Sequence, residues 1–292
     1  MKRLVLVHGR AQEGKDPNEL KWNWIQALKE GLKKSDLTLP VPDSAIGFPY
    51  YGDLLDQLVY GTGENDAAPE VITRGRPDDD EELKFKLELL DAMRKKAGLT
   101  DEQVRDASGD PTLQKGPLNW EWVQAILRGF DQYVPGMSGT TVNLFTHDVF
   151  VYLRRPGVRD EIDGIVRKVI PTGQECVLVG HSLGTVVTYS VLRRDGDTLK
   201  IPQYVTLGSP LALSLIQESF DPLRNPACVG HWYNAMDDRD VVALYPLESP
   251  HFNVTPKIEN KKDVDNFTSN RHGIAGYLTD KDVAKKIHEA LL

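Results

Sequence analysis

An apolar run from Cys176 to Val179 leads directly into Gly180-His181-Ser182-Leu183-Gly184, and a stretch of helical character, Thr185 to Arg194, follows. A G-x-S-x-G pattern between a strand and a helix is the arrangement of a nucleophile elbow, a sharp turn that lifts a serine hydroxyl above the end of a sheet. The two glycines lack a Cβ, which lets strand and helix approach closely. The pattern predicts a strand–turn–helix unit in which Ser182 attacks a carbonyl.

Strand and helix signals alternate on both sides of this unit. Leu4 to Val7 is a continuous apolar run, as expected for a strand buried on both faces. A helix start follows at Asp16-Pro17-Asn18-Glu19, with Asp as the N-cap and Pro at the first helical position. Further strands are predicted at Ser44 to Tyr51, Tyr204 to Leu207 and His231 to Ala235. This rhythm predicts an α/β fold with a mostly parallel sheet.

The pattern changes between residues 55 and 140, where strand signals disappear. Thr100-Asp101-Glu102-Gln103 is a capping-box start for a short helix. Two amphipathic helices flank it, one with an apolar face of Leu83, Leu87, Leu90 and Met93, the other with Leu118, Trp122, Ile126 and Phe130. We interpret residues 55–140 as a helical insertion within a single domain that spans residues 1–292. The sequence leaves open whether the insertion caps the carboxyl end of the sheet or forms a peripheral layer.

The composition narrows the classes of function. The chain of 292 residues has a formal net charge of −8 and a pI near 5.4, which argues against nucleic-acid binding because that requires a basic surface. Two cysteines argue against a disulfide framework. No apolar stretch approaches the ~20 residues of a membrane span, and the apolar part of the N-terminal segment is too short for a signal peptide. We therefore expect a cytoplasmic protein with no transmembrane segment.

A serine hydroxyl needs a neighbouring base, and the base needs an acceptor that holds its tautomer. After an elbow the expected chain order is serine, acid, histidine. Among the histidines that follow Ser182 we favour His272, which lies in a polar loop, over His251. The acid is expected in the loop after a late strand. Asp240 is favoured there, and Asp237 is the alternative.

Acyl transfer also needs donors for the negative charge that develops on the carbonyl oxygen. One donor is expected to be the backbone N–H of Leu183, which directly follows the nucleophile. The second is expected from the loop after the first strand, His8-Gly9-Arg10. We favour the Arg10 amide, with Gly9 as the alternative, and interpret His8 as an organiser of this loop.

Together these motifs resemble the α/β-hydrolase superfamily, in particular its lipase- and esterase-like serine hydrolases. The resemblance covers residues 1–54 and 141–292 and excludes the insertion. It implies a reduced sheet of about six strands, Ser182 as nucleophile, Asp240 as acid, His272 as base, and Arg10 and Leu183 as oxyanion donors. The matching segments are His8-Gly9, Gly180 to Gly184, Thr206 to Leu211, Arg239 to Val242, and His272-Gly273 with Tyr277.

The expected activity is therefore hydrolysis of a small or lipid-like carboxylic ester through an acyl-enzyme on Ser182. We expect no cofactor and no metal, because the chain has neither His-Glu-x-x-His nor Cys-x-x-Cys and no nicotinamide fingerprint. Two alternatives stay open. One is a catalytically silent copy of the fold that serves binding or regulation, and the other is an acyltransferase or thioesterase that uses the same three residues. The sequence leaves the natural substrate and the oligomeric state undetermined.

Overall fold

The computed structural model describes residues 1–61, 77, 79–116 and 118–292. These residues divide into two units. The sheet unit comprises residues 1–55 and 159–292, and the helical unit comprises residues 56–158. Part of the predicted insertion, residues 62–76, 78 and 117, lies outside the described residues. No helix of the described part of the chain is long and apolar enough to cross a membrane.

The sheet unit is built on parallel strands. They are β1 (Arg3–Val7), β2 (Ile46–Gly47), β3 (Glu175–His181), β4 (Lys200–Leu207), β5 (Val229–Ala235) and β6 (Glu259–Lys261). The order across the sheet is β2-β1-β3-β4-β5-β6, and every neighbouring pair is parallel. The predicted α/β class, with a mostly parallel sheet, is confirmed. The strand that leads into the serine turn, β3, lies in the middle of this sheet.

Several helices begin where the sequence provides a side-chain cap. Asp16 is the N-cap of the first helix, and its carboxylate accepts hydrogen bonds from the amides of Asn18 and Glu19, which confirms the predicted start. In chain order the helices are α1 (Pro17–Lys33), α2 (Gly52–Tyr60), α3 (Asp80–Lys96), α4 (Asp101–Ser108), α5 (Trp120–Tyr133), α6 (Gly139–Arg154), α7 (Pro156–Val169), α8 (Leu183–Asp195), α9 (Ser214–Gln217), α10 (Ile274–Leu278) and α11 (Lys281–Leu291).

Different helices cover the two faces of the sheet. On one face, Leu4 and Leu6 of β1 and Val177 and Val179 of β3 belong to one buried cluster with apolar residues of α1 and α11. Alternate residues of a strand point to opposite faces, and Gly180 accordingly lies against α8 on the other face. Burial of both faces explains why the central strands are nearly continuous apolar runs. It also fixes the end of β3, where the serine turn begins.

The helical unit contains no strand among its described residues. The predicted capping box is present, because the Thr100 hydroxyl accepts from the Gln103 amide while the Gln103 side chain accepts from the Thr100 amide. The predicted apolar face that began at Leu118 is wrong at its first position. Leu118 precedes the helix, has φ 60° and is partly exposed, because Asn119 caps α5 and the helix begins at Trp120.

Two elements of the sheet differ from the sequence-based prediction. The strand expected at Ser44 to Tyr51 is reduced to Ile46–Gly47, because residues 43–45 form a 3-10 turn that uses up its first part. The edge strand β6, Glu259–Lys261, was not predicted. Its three polar residues carry neither the apolar run of a buried strand nor the alternation of a half-buried one.

Candidate active site

The turn between β3 and α8 holds Ser182 in a conformation that few side chains adopt. Ser182 has φ 54° and ψ −130°, a region that costs a non-glycine residue on the order of 1–3 kcal/mol. The turn is held by hydrogen bonds from the Ser182 amide to the Leu207 carbonyl (3.0 Å) and from the Thr185 amide to the Ser182 carbonyl (2.9 Å). Only 3% of Ser182 is exposed. This strained turn at the carboxyl end of a central strand has the geometry of a nucleophile elbow.

Two glycines let β1, β3 and α8 meet at this turn. A Cβ on Gly184 would lie 2.5 Å from the Val7 carbonyl oxygen and would also overlap the His8 carbonyl. A Cβ on Gly180 would lie 2.9 Å from Thr188 Oγ1. Both separations are far inside the optimal contact distance. The close approach predicted for the two glycines is therefore confirmed.

The imidazole of His272 bridges Ser182 and Asp240. Its Nε2 lies 2.8 Å from Ser182 Oγ, and its Nδ1 lies 2.7 Å from Asp240 Oδ2. Because a carboxylate only accepts, Nδ1 carries the proton, and Nε2 is left to accept the serine proton. A Cβ on Gly208, which has φ 57°, would lie 3.1 Å from His272 Cε1, so the ring packs directly on that residue. The structure thus brings three of the predicted site residues into one hydrogen-bonded chain.

Asp240 is fully buried and accepts hydrogen bonds at both carboxylate oxygens. Oδ1 accepts from the amides of Val242 (2.8 Å) and Ala243 (3.3 Å), and Oδ2 accepts from His272 Nδ1 and from the Tyr277 hydroxyl (2.6 Å). Burial, the largest influence, raises the pKa of the Asp240 carboxyl. The charge of His272 and these hydrogen bonds outweigh burial and hold the pKa below its usual value. The group at the far side of the imidazole is therefore a carboxylate.

Asp237, the alternative acid, does not reach His272. Its Oδ1 accepts from the Arg239 amide at 2.8 Å, and its Oδ2 accepts from the Asn266 amide at 2.9 Å. Asp237 is fully buried as well. Its carboxylate therefore joins the loop after β5, which carries Asp240, to the start of the loop that carries His272.

His8 organises the loop after β1. Its Nδ1–H donates to the Gly9 carbonyl at 2.7 Å, and its Nε2 accepts from the Tyr51 amide at 3.1 Å. The ring stacks on Tyr51 at 4.1 Å between centroids, and the Tyr51 hydroxyl donates to the His8 carbonyl. Burial lowers the pKa of His8 to about 4, so the ring is neutral at ordinary pH. These contacts fix one tautomer of His8 and the course of the loop.

The two predicted oxyanion donors lie on two segments of the chain, the loop after β1 and the start of α8, which meet beside Ser182. Leu183 is the first residue of α8, and the first amides of a helix have no acceptor within the helix. A Cβ on Gly9 would lie 2.8 Å from Ser182 Cβ and 3.3 Å from the Leu183 nitrogen. Arg10 follows directly, with its carbonyl accepting from Gln12 Nε2 at 2.9 Å. The loop after β1 is therefore packed, at Gly9, against the turn that carries Ser182.

The alternative base, His251, lies elsewhere in the sheet unit. Its ring stacks on Tyr245 at 3.8 Å between centroids, and no hydrogen bond joins it to Ser182 among the described residues.

The part of the chain that the structure describes contains no group of three or more His, Cys, Asp or Glu side chains arranged to hold a metal ion.

Sequence reasoning gave no role to Tyr277, His181 or Tyr51. Tyr277 donates to Asp240 Oδ2, and His181 Nε2 lies 2.8 Å from the His272 carbonyl oxygen. Tyr51 holds His8. Tyr277 stood in a matching segment and His181 is one of the two unspecified positions of the G-x-S-x-G pattern, but their partners lie 37 and 91 residues away along the chain. No local pattern encodes such contacts.

Comparison of the chain with protein-family models, curated proteins and solved structures finds no match.

Proposed function

We propose that this protein is a serine hydrolase that cleaves a carboxylic ester through an acyl-enzyme on Ser182. The observation that carries the proposal is the chain of hydrogen bonds from Ser182 Oγ through the His272 ring to Asp240 Oδ2, at 2.8 and 2.7 Å. Serine, imidazole and carboxylate in this arrangement activate the hydroxyl as a nucleophile. Three residues this far apart in sequence have no structural need to form such a chain inside a strained turn.

In the acylation half-reaction, the serine proton moves along the chain of hydrogen bonds from Ser182 to His272. Ser182 Oγ attacks the ester carbonyl carbon while its proton passes to His272 Nε2. The Nδ1–H of His272 stays hydrogen-bonded to Asp240, whose carboxylate stabilises the imidazolium that forms. Collapse of the tetrahedral intermediate breaks the ester C–O bond, and the imidazolium returns its proton to the leaving alkoxide. The products are an alcohol and an acyl group esterified to Ser182.

The deacylation half-reaction repeats these steps with water. His272 Nε2 takes a proton from a water molecule, the hydroxide attacks the acyl carbon, and Ser182 leaves with the proton returned by His272. In both halves the negative charge on the former carbonyl oxygen needs preorganised donors. We assign that role to the backbone amides of Leu183 and Arg10, because Gly9, the residue before Arg10, packs against Ser182 Cβ and the Leu183 nitrogen.

The proposal includes membership of the α/β-hydrolase superfamily, with lipase- and esterase-like enzymes as the nearest type. Support comes from a parallel sheet with the serine turn after its central strand, β3. The acid follows β5 and the base follows β6, in the order expected of elbow-containing hydrolases. Fold type alone does not set a substrate. The three hydrogen-bonded groups support acyl transfer through Ser182, and the ester class is the part of the proposal that the turnover assay tests.

The substitution Ser182→Ala tests the proposal. We expect it to reduce kcat for a short p-nitrophenyl ester by about 10⁴-fold or more, since the nucleophile acts as a unit with its base. A fluorophosphonate probe is expected to label the wild-type protein on Ser182 and to leave the variant unlabelled. The matched control is Ser44→Ala, a substitution on the exposed 3-10 turn before β2, which is expected to retain both activities.

Four results would contradict the proposal. Full turnover by Ser182→Ala, or a probe adduct on another residue, would remove Ser182 from the mechanism. A folded wild-type protein that neither turns over esters nor takes up the probe would favour the silent binding or regulatory alternative. Acyl products formed with an added alcohol or amine at the expense of the acid would instead indicate acyl transfer.

A further inference from the structure

We propose that His181, the residue before Ser182 in the elbow, is a positioning residue that holds the base in place by donating its Nε2–H to the backbone carbonyl of His272. This inference rests on the proposed function, because it assigns His181 to the alignment of that catalytic imidazole. It adds to the three reacting groups a residue that touches neither substrate nor the reacting atoms. It also predicts that the residue before the nucleophile is constrained by hydrogen-bonding capacity rather than by size.

The first observation is the hydrogen bond itself. His181 Nε2 lies 2.8 Å from the His272 carbonyl oxygen. A carbonyl oxygen only accepts, so Nε2 carries the proton and Nδ1 does not. The neighbouring residue, Ser182, contacts the other end of the same histidine through Oγ and Nε2. Two consecutive residues of the elbow therefore hold the backbone and the ring of His272.

The second observation is that the His181 ring has a fixed orientation. Its centroid lies 4.8 Å from that of His272, 6.0 Å from that of Tyr277 and 6.1 Å from that of Trp24, which meets it edge-on. The residue is also the last of β3, whose backbone is paired on both sides by β1 and β4. Because His181 ends a central strand and its ring packs among aromatic rings, its N–H is held ready to donate to the carbonyl of the loop residue His272.

The third observation concerns charge. Burial, with a smaller contribution from the charge of His272, lowers the pKa of His181 to about 3. The ring is therefore neutral over the pH range in which the enzyme would work, and it keeps one N–H. A neutral donor suits this place, since the adjacent imidazole becomes a cation in each half-reaction and a second cation 4.8 Å away would oppose it.

The loop that carries His272 is otherwise held mainly by bonds within itself. The His272 amide donates to Asn270 Oδ1, the Gly273 amide donates to Thr268 Oγ1, and the Arg271 amide donates to the Thr268 carbonyl. These bonds shape the loop but do not attach His272 to the elbow. The His181 bond ties the backbone of His272 to the elbow, and a misplacement of about 1 Å at a catalytic group costs up to about 10²-fold in rate.

The test compares His181→Gln with His181→Met. The two side chains have similar length and shape, but only Gln carries an N–H donor at the end. We expect His181→Gln to stay within about threefold of wild type in kcat for a short ester, as a retained neutral hydrogen bond allows. We expect His181→Met to lose about 10- to 100-fold in kcat with little change in KM. The rate of Ser182 labelling by a fluorophosphonate probe is expected to fall in parallel.

The substitution His231→Gln, at an exposed position of β5, is the control and is expected to behave as wild type. Equal kcat values for the Gln and Met variants would overturn the positioning role. Because both variants could fold poorly, ¹⁵N NMR of the wild-type ring gives a second test: we expect a protonated Nε2 and an unprotonated Nδ1, and the opposite tautomer would overturn the inference. Failure of the proposed function can be distinguished from failure of this inference, since in the former case the fluorophosphonate probe would not label Ser182 of the wild-type protein.

Discussion

Each carboxylate oxygen of Asp240 faces at least one hydrogen-bond donor. Replacement of either oxygen by an amide nitrogen is therefore expected to disrupt these hydrogen bonds. Backbone amides of Val242 and Ala243 face Oδ1, while His272 Nδ1 and the Tyr277 hydroxyl face Oδ2. Burial, followed by the nearby Asp240 charge, raises the pKa of Tyr277 well above its usual value, so that hydroxyl remains a donor. A side chain with an NH₂ group at either oxygen position would point a donor at a donor.

Asp240→Asn is therefore expected to lower kcat by about 10³–10⁴-fold, because the amide cannot accept from every donor and favours the wrong tautomer of His272. Asp237→Asn is the matched variant in the same loop. It is expected to lower the free energy of unfolding by about 1–3 kcal/mol, since Asp237 accepts buried amide bonds, and to affect kcat far less. Ester kinetics and urea unfolding of both variants measure the contrast.

The opposite result, a large kcat loss for Asp237→Asn together with near-normal turnover for Asp240→Asn, would reassign the acid. It would also mean that the loop after β5 takes a different conformation during the reaction.

Chain order and loop position predicted His272 as the partner of Ser182 and narrowed the carboxylate beside it to one loop, because both are set by the topology of an elbow-containing sheet. The sequence favoured Asp240 but left Asp237 open, since both lie in the same turn and the contact that distinguishes them, Asp240 with His272, joins residues 32 positions apart. The sequence also could not reveal that His181 contacts the His272 carbonyl. That contact depends on the path of a loop 91 residues further along the chain.

At the level of secondary structure elements, the site depends on how closely α8 approaches the end of β1. Gly184 lies in the first turn of α8, where a Cβ would overlap the carbonyl groups of both Val7 and His8. These are backbone atoms of a buried strand and of the loop that leads to Arg10, so neither can move without cost. The same contact therefore fixes the turn that carries Ser182 and the loop expected to supply the second oxyanion donor.

Gly184→Ala is accordingly expected to destabilise the protein by about 1–3 kcal/mol, the usual cost of overpacking, and to lower kcat at least tenfold (about 1.4 kcal/mol of barrier). The control is Gly164→Ala in α7, where nothing lies within 4 Å of the added Cβ. That change is expected to stabilise the protein by about 0.5–1 kcal/mol through helix propensity. Thermal unfolding and ester turnover measure both. A Gly184→Ala protein with wild-type turnover would show that the elbow does not require this approach.

Elements with strong local signals were predictable, and elements without them were not. The apolar runs of β1, β3 and β4 and the caps of α1 and α4 all lie where the sequence indicates. β6 consists of Glu-Asn-Lys, and it is a strand only because it pairs with β5 at the edge of the sheet. Pairing with a neighbour is a tertiary interaction, and a three-residue polar segment carries no trace of it.

At the scale of the whole molecule, two buried neutral histidines make folding sensitive to mild acid. The pKa of His8 is lowered to about 4 and that of His181 to about 3, in both cases mainly by burial. In the unfolded chain both rings titrate near 6.5. Between roughly pH 4 and pH 6.5 the unfolded state therefore binds more protons than the folded state, and stability falls as the pH falls. Above about pH 7 these two groups contribute no pH dependence.

Lowering the pH from 7.5 to 5 is thus expected to reduce the stability of the sheet unit by about 2 kcal/mol for each ring. Carboxylates such as Asp240, whose pKa is lowered, add little in this range because they lose their contribution only in stronger acid. Hydrogen exchange of the β1 and β3 amides, corrected for intrinsic rates, measures the free energy at each pH. His181→Gln removes one ring and is expected to reduce the pH dependence by about half, whereas the exposed control His231→Gln leaves it unchanged. An unaltered slope in His181→Gln would mean that the ring at position 181 is already protonated, or solvated, in the folded protein, and the neutral donor assigned to it would have to be abandoned.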